Sequence, residues 1–371
     1  MTWTALFKQE LKALFTNPAV VFTVFGGIII YSLLYPLPYE NQLPRELRVA
    51  VVDHDNSQES RAFVRMLDAT PQLSVAMRLG KEQEASQQIA GGNIEGVVVV
   101  PQHFYRDLLM GKSPVISVGG DASFFLTYGT IAEGVVNAGN TLGSSVKTIR
   151  AMMQYTPMEP ATKQVTPFSL NVVPVYNPTT GYGNYVVPGV FILILQQTLL
   201  IASGMLASVN PNSGGRNLIA RACILAAIYS VMAMYYLGAS LEINGVNRLA
   251  EPVILIIIMM PFLLATIGLG TVIGKCFSRP EIITLTVLLS SMPLLFTSGF
   301  VWPSSELPVW LNALAQFAPS TPAIQATIQL NQMGATIQSQ LGHLYQLWLL
   351  TAIFGAIAIL ANPRSATNSV Q

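Results

Sequence analysis

Residues 282–301 read Ile282-Ile-Thr-Leu-Thr-Val-Leu-Leu-Ser-Ser-Met-Pro-Leu-Leu-Phe-Thr-Ser-Gly-Phe-Val301. The stretch is apolar apart from Ser, Thr, Gly and one proline, Pro293. That is the length needed to cross the hydrocarbon core of a bilayer. It runs out into Phe300, Trp302 and Pro303, where an aromatic ring suits the headgroup level. Leu307 to Phe317 and Pro322 to Leu330 follow as short, semi-apolar, proline-bounded pieces. Each is too short to span, so residues 303–344 read as re-entrant or interfacial segments. Irregular backbone at that depth survives only when it is buried in protein or lines a wet cavity.

Composition agrees with a membrane protein. The chain has 371 residues, 51% hydrophobic and 10% charged, with a mean hydropathy of +0.50. A soluble domain carries about a quarter charged residues. The net charge of +1 offers nothing to nucleic acid or another polyanion. Residues 39–184 hold 11 of the 19 basic and 13 of the 18 acidic side chains. The expectation is therefore one soluble domain and one membrane domain. The two cysteines, Cys223 and Cys276, lie in or beside apolar runs and read as small apolar core residues.

Residues 1–38 read as an interfacial helix and a first span. Trp3, Phe7, Leu11 and Leu14 share one helical face and Lys8, Gln9 and Lys12 the other, so residues 1–16 suit a membrane surface. Asn17-Pro18 ends that helix, and Pro18 to Leu37 makes span one. Spans two to four are read at Val186 to Ser208, Ile219 to Leu241 and Pro252 to Gly274. Ile282 to Val301 is the fifth, and Tyr345 to Ala361 the sixth. Residues 185–371 thus hold five spans and the broken segment. Lys8, Lys12, Arg216, Arg221, Lys275, Arg279 and Arg364 fall on one side and only Arg248 on the other. This bias places both termini in the cytosol and residues 39–184 outside.

The outer residues 39–184 alternate strand-like and helix-like runs, which predicts an inserted extracytoplasmic α/β domain with a largely parallel sheet. Strands are expected at Leu47 to Asp53, Leu73 to Met77, Gly96 to Val100 and Val115 to Val118. Helices are expected from Asn56 as cap to Ala69, from Lys81 to Ala90, and from Pro101 to Met110. A long helix is expected from Phe124 to Tyr155, and an extended stretch from Val165 to Val175. The fold class is an α-helical membrane protein with six transmembrane helices carrying that insert.

Chemistry-bearing motifs are few. Asp53-His54-Asp55-Asn56-Ser57 has the residue types of a metal or phosphoryl site, but helix capping accounts for them. Gly268-Leu-Gly-Thr-Val-Ile-Gly274-Lys275-Cys276 resembles a phosphate-binding loop with wrong spacing and Cys in place of Ser or Thr. Close helix packing through Gly270 and Gly274 explains it better. Gln196 and Gln197 sit inside span two and Glu242 near the outer end of span three. Such groups line a pathway or bond between helices. No catalytic constellation, cofactor site or metal set emerges.

Several short runs resemble the type 2 ABC-exporter permease family. They are Pro188-Gly189, Ser298-Gly-Phe-Val-Trp-Pro303, Leu307-Pro-Val-Trp310, Ala318-Pro-Ser-Thr-Pro322-Ala-Ile-Gln325 and Leu330-Asn-Gln-Met-Gly334. Val51-Val-Asp53-His-Asp-Asn-Ser57 fits the branch with a large extracytoplasmic insert after span one. The resemblance implies a permease half of an ATP-driven exporter in the bacterial inner membrane. It implies two copies, or one copy with a sister permease, and separate ATPase subunits that hold ATP and Mg. A periplasmic adaptor of the membrane-fusion type is a further implied partner. The family's charged coupling loop after span two is here Val209-Asn-Pro-Asn-Ser-Gly-Gly-Arg216-Asn217, with a single charge.

Two elements are expected to meet the ATPase: the amphipathic helix, through Lys8, Glu10 and Lys12, and this loop, through Asn212 and Arg216. The expected pathway and gate residues are Gln196, Gln197, Phe300, Trp302 and Pro303. Apolar spans with few fixed charges suit a hydrophobic or amphipathic cargo. A membrane-anchored receptor module and an envelope-assembly scaffold are the alternatives, though a receptor has no need of broken helices at membrane depth.

Overall fold

The computed structural model describes residues 2–39, 44–110, 112, 114–120, 125–153, 183–209, 214–246, 248–277 and 279–361. Asn212, Arg364 and the stretch expected to be extended, Val165 to Val175, lie outside the described residues. The chain divides into two compact units, Met1–Glu40 with Pro174–Gln371, and Asn41–Val173.

In the first unit, α1 (Trp3–Thr16) is followed by six helices long and apolar enough to cross a membrane, among the described residues. They are α2 (Pro18–Tyr39), α7 (Gly183–Val209), α8 (Gly215–Ile243), α9 (Pro252–Cys276), α10 (Pro280–Thr297) and α13 (Ile337–Leu360). Asn17 starts α2 by accepting from the Ala19 and Val20 amides at 3.1 and 3.3 Å. α7 is the axis of the unit: 94% of its most apolar window is buried, against 17% for α10 and for α13. A helix apolar on every side and buried belongs at the centre of a bundle. The exposed apolar faces of α10 and α13 suit lipid or another chain.

The glycine-rich end of α9 packs directly on α7. A Cβ at Gly274 would lie 2.8 Å from the Ala207 Cβ and against the Gly204 backbone. Gly270 is as tight against Leu200. These small residues bring two backbones together where lipid supplies no hydrophobic drive between helices. The stretch that mimics a phosphate loop is thus used up in packing. Cys223 and Cys276 are exposed, contrary to the expectation of core residues. Both sit on outward helix faces, where an apolar side chain needs no protein neighbour if the surroundings are lipid.

Two of the spans carry a π-turn, Phe22–Gly27 in α2 and Tyr235–Ser240 in α8. Such turns interrupt the regular ladder. Tyr236 Oη donates to the Ile28 carbonyl at 2.7 Å, and Tyr235 Oη lies 3.0 Å from Ser32 Oγ. The tyrosines of the α8 π-turn therefore tie it to the part of α2 that follows the α2 π-turn.

The second unit is an α/β fold. Strands β1 (Leu47–Asp53), β2 (Leu73–Leu79), β3 (Gly96–Val100) and β4 (Ser117–Gly120) form one sheet in the order β2-β1-β3-β4. β1 runs parallel to β2 and β3, and β4 is antiparallel to β3. The helices are α3 (Gln58–Asp68), α4 (Glu82–Ala90), α5 (Phe104–Leu109) and α6 (Phe125–Met153). Val49, Val51, Val98 and Val100 meet Phe63 and Leu67 of α3, Phe104 of α5, and Ile131, Val135, Ala138 and Leu142 of α6. The long helix therefore packs one face, at spacings of four, three and four residues, into the core of this unit.

The cap of α3 falls one residue later than expected. Ser57 Oγ accepts from the Ser60 amide at 3.1 Å, while Asn56 sits at φ 50° and returns its side-chain amide to the Asp53 carbonyl. Asp53 accepts from the amides of Asp55 and Asn56 and from Ser60 Oγ at 2.6 Å. Asp55 accepts from the Tyr105 amide at 3.1 Å. The Asp-His-Asp-Asn-Ser run thus shapes the β1–α3 corner.

Candidate functional site

Two places in the membrane unit gather the residues of interest. The first is built around a short helix. α10 stops at Thr297, four residues before the apolar run ends, because Gly299 adopts φ 88° and turns the chain. Phe300 then lies on α7: a Cβ at Gly189 would sit 2.7 Å from the Phe300 ring. Residues 303–336 hold two short helices, α11 (Val309–Ala315) and α12 (Ser320–Asn331), and α13 begins at Ile337, ahead of the expected Tyr345. α11 is largely exposed, with Trp310 70% and Leu314 62% accessible. α12 is buried along most of its length.

The N-terminus of α12 has unpaired amides that need acceptors. Gln196 supplies one: its Oε1 accepts from the Ser320 amide at 2.6 Å, with both residues buried. The side chain in the middle of α7 thus caps the short helix. Other amides tie down the rest. Gln325 Nε2 donates to the Ser298 carbonyl at 3.4 Å, and Gln340 Nε2 to Gln329 Oε1 at 2.8 Å. Gln346 Nε2 donates to Gln316 Oε1 and to its carbonyl at 2.9 and 3.0 Å. The Leu249 amide donates to the Asn331 carbonyl at 2.8 Å.

A cavity of about 350 Å³ opens beside this helix. Tyr185, Phe300, Ile324 and Ile328 give it apolar walls; Gln325 and Gln329 give it amides. Such a mixed lining can hold the two ends of an amphipathic molecule.

Of the expected gate residues, Gln196 and Phe300 are both fixed to this assembly. Gln197 turns instead toward Ser290 of α10, 3.5 Å away, and Trp302 and Pro303 are exposed outside the cavity. Glu242 is exposed and pairs with Arg248 at 3.2 Å. Sequence reasoning missed Gln325, Gln329, Gln340 and Gln346. Their signal was glutamine recurring through apolar runs, where each amide must find a partner.

The second place joins α1 to the bundle. The face of α1 that packs is Leu6, Glu10 and Leu14, one turn apart. Trp3, Phe7 and Leu11 remain exposed, as a helix at a membrane surface requires. Leu14 therefore leaves the stripe to which its spacing assigned it. Glu10, 3% exposed, meets Arg221 of α8, also 3% exposed, through Nε at 2.8 Å and Nη2 at 3.3 Å. Arg216 lies over the Trp3 ring, 4.9 Å from its centroid. Lys8 and Lys12 are exposed. The helix and the start of α8 thus form one element, held by an ion pair and a cation–π contact.

Residues 18–360 match the family described as ABC-2 family transporter protein. The chain is 21% identical over 361 residues to the linearmycin resistance permease protein LnrN of Bacillus subtilis, covering 90% of this chain and 92% of that one. It is 21% identical over 368 residues to the probable multidrug ABC transporter permease YbhR of Escherichia coli, covering 96% of each. It is 21% identical over 335 residues to the probable multidrug ABC transporter permease YbhS of the same organism, covering 85% of this chain and 84% of that one. The family implies an ATPase partner subunit. This multi-pass chain belongs to the ABC-2 transporter family and is a membrane permease subunit of an ABC transporter.

Proposed function

We propose that this permease exports a hydrophobic or amphipathic substrate from the cytoplasm. It does so as a dimer, with a second copy or a sister permease, driven by separate ATPase subunits that hold ATP and Mg. The observation that carries the reading is the buried helix α12, capped by Gln196 beside a cavity lined by both amides and apolar side chains. A helix end held by one side-chain acceptor is a joint that moves when its supporting span moves. The resistance and multidrug names of the relatives agree with an amphipathic cargo.

Filling the cavity tests this. Ile328→Trp should lower ATP-driven efflux of an amphipathic dye by roughly tenfold, the scale of a steric misfit in an apolar pocket. Copurification with the ATPase should not change. Unchanged efflux with a filled cavity would remove the cavity from the pathway.

In this reading the chain lies in the bacterial inner membrane, with both termini cytosolic and residues 39–184 outside, where they can meet a periplasmic adaptor. The orientation rests on the basic bias of the membrane loops. In a background with Cys223 and Cys276 replaced by Ala, a cysteine at the exposed Ser86 should react with an impermeant thiol reagent on spheroplasts. One at Ser213 should react only after lysis. Reversed labelling would invert the proposed orientation.

A further inference from the structure

Where α1 meets α7 and α8, a cavity of about 380 Å³ is lined by Gln9, Glu10, Ala13, Pro18, Leu206 and Arg221, among others. Arg221 is buried, and its donors are unequally used. Nε and Nη2 hold Glu10, while Nη1 is buried with no hydrogen-bond partner among the described residues. An unmet donor on a buried guanidinium is costly. The permease reading has no use for this cavity.

We infer that the cavity binds a phosphate group, carried by a membrane phospholipid whose headgroup meets Arg221 Nη1. Three features select this chemistry. A guanidinium with a free N–H edge is a strong and directional donor to phosphate. The Glu10 oxygens are already engaged, and this end of the bundle carries Lys8, Lys12, Arg216, Lys275 and Arg279 against Glu281, so its field favours an anion. The wall is partly apolar, through Ala13, Pro18 and Leu206, as the first carbons of an acyl chain require. The bound headgroup would also lie beside α1, whose exposed Trp3, Phe7, Leu11 and Phe15 suit the surface of a bilayer. A lipid here would brace α1 against the bundle.

Native mass spectrometry of the full-length protein, delipidated in detergent and titrated with phosphatidylglycerol, tests the inference. The wild type should retain one phospholipid against collisional release. Arg221→Lys keeps the charge but loses the fork, and should weaken retention by about tenfold, the scale of one charge-assisted hydrogen bond. Ala13→Phe fills the cavity without touching the ion pair, and should abolish the retained adduct. Glu10→Met with Arg221→Met, which leaves no buried charge, should abolish it in protein that still elutes as a folded species. Competition with inorganic phosphate separates the two sources of the group. Failure of millimolar phosphate to displace the lipid supports a headgroup site. Full displacement by phosphate, with the same sensitivity to Ala13→Phe, overturns the lipid as the source. An adduct unaffected by Ala13→Phe, or no adduct at all, overturns the site and leaves Nη1 to water.

Discussion

Arg221→Ala is expected to strip α1 from the bundle and to cut sharply the yield of folded protein, while Glu10→Met with Arg221→Met restores it. Both side chains of the pair are 3% exposed. Removing one partner of a buried pair leaves an uncompensated charge, at a cost of about 3–5 kcal/mol. Replacing both by apolar groups of similar volume is often neutral or stabilising. Thermal unfolding in detergent, read by size-exclusion recovery, separates the cases. A single variant as stable as the wild type would mean that water reaches the pair and that the joint carries no load. The difference between single and double variants isolates the interaction itself.

The second large effect concerns the ATPase. Lys8→Glu with Lys12→Glu should weaken its association by about tenfold at low salt, and less at moderate salt, as expected for exposed interfacial charges. Arg216→Ala should weaken it less. Lys8 and Lys12 are free to meet a partner, whereas Arg216 is already placed over Trp3. Glu10, between the two lysines in sequence, points the other way and holds Arg221. Its proposed role in docking is therefore indirect: it fixes the helix that presents the lysines. Quantitative pulldown of the ATPase at two salt concentrations decides the matter. Release by Arg216→Ala alone, with the lysine variant still bound, would make the loop the main dock.

The six spans were legible because twenty-residue apolar runs have few alternatives in a chain with so little charge. The α/β unit was legible from its alternating pattern, but the antiparallel β4 was not. Val115 to Val118 reads the same in either direction, and nothing in its spacing chooses between parallel and antiparallel pairing. The later cap at Ser57 shows the same limit, since Asn56 and Ser57 are equally good caps on paper. The early end of α10 was hidden in an apolar run that continues to Val301, and only the left-handed Gly299 reveals it.

The candidate site was half legible. Gln196 stood out as a polar group in an apolar helix, but its partner, the Ser320 amide, is 124 residues away. Glu10 reads as one more surface charge on an amphipathic helix. Nothing local distinguishes it from Lys8 or Lys12, because its burial comes from Arg221, 211 positions later in the chain. Long-range polar pairs of this kind have no signature in spacing.

The central proposal is that this chain moves an amphipathic substrate outward using ATP hydrolysed on a separate subunit. Inside-out vesicles containing the chain and its ATPase partner test it most directly, with an amphipathic fluorescent dye outside. Dye should accumulate in the lumen on addition of ATP and Mg, with accumulation lost with a hydrolysis-dead ATPase and reduced about tenfold by Ile328→Trp. Accumulation that is indifferent to ATP, or an ATPase that never associates with the chain, would contradict it.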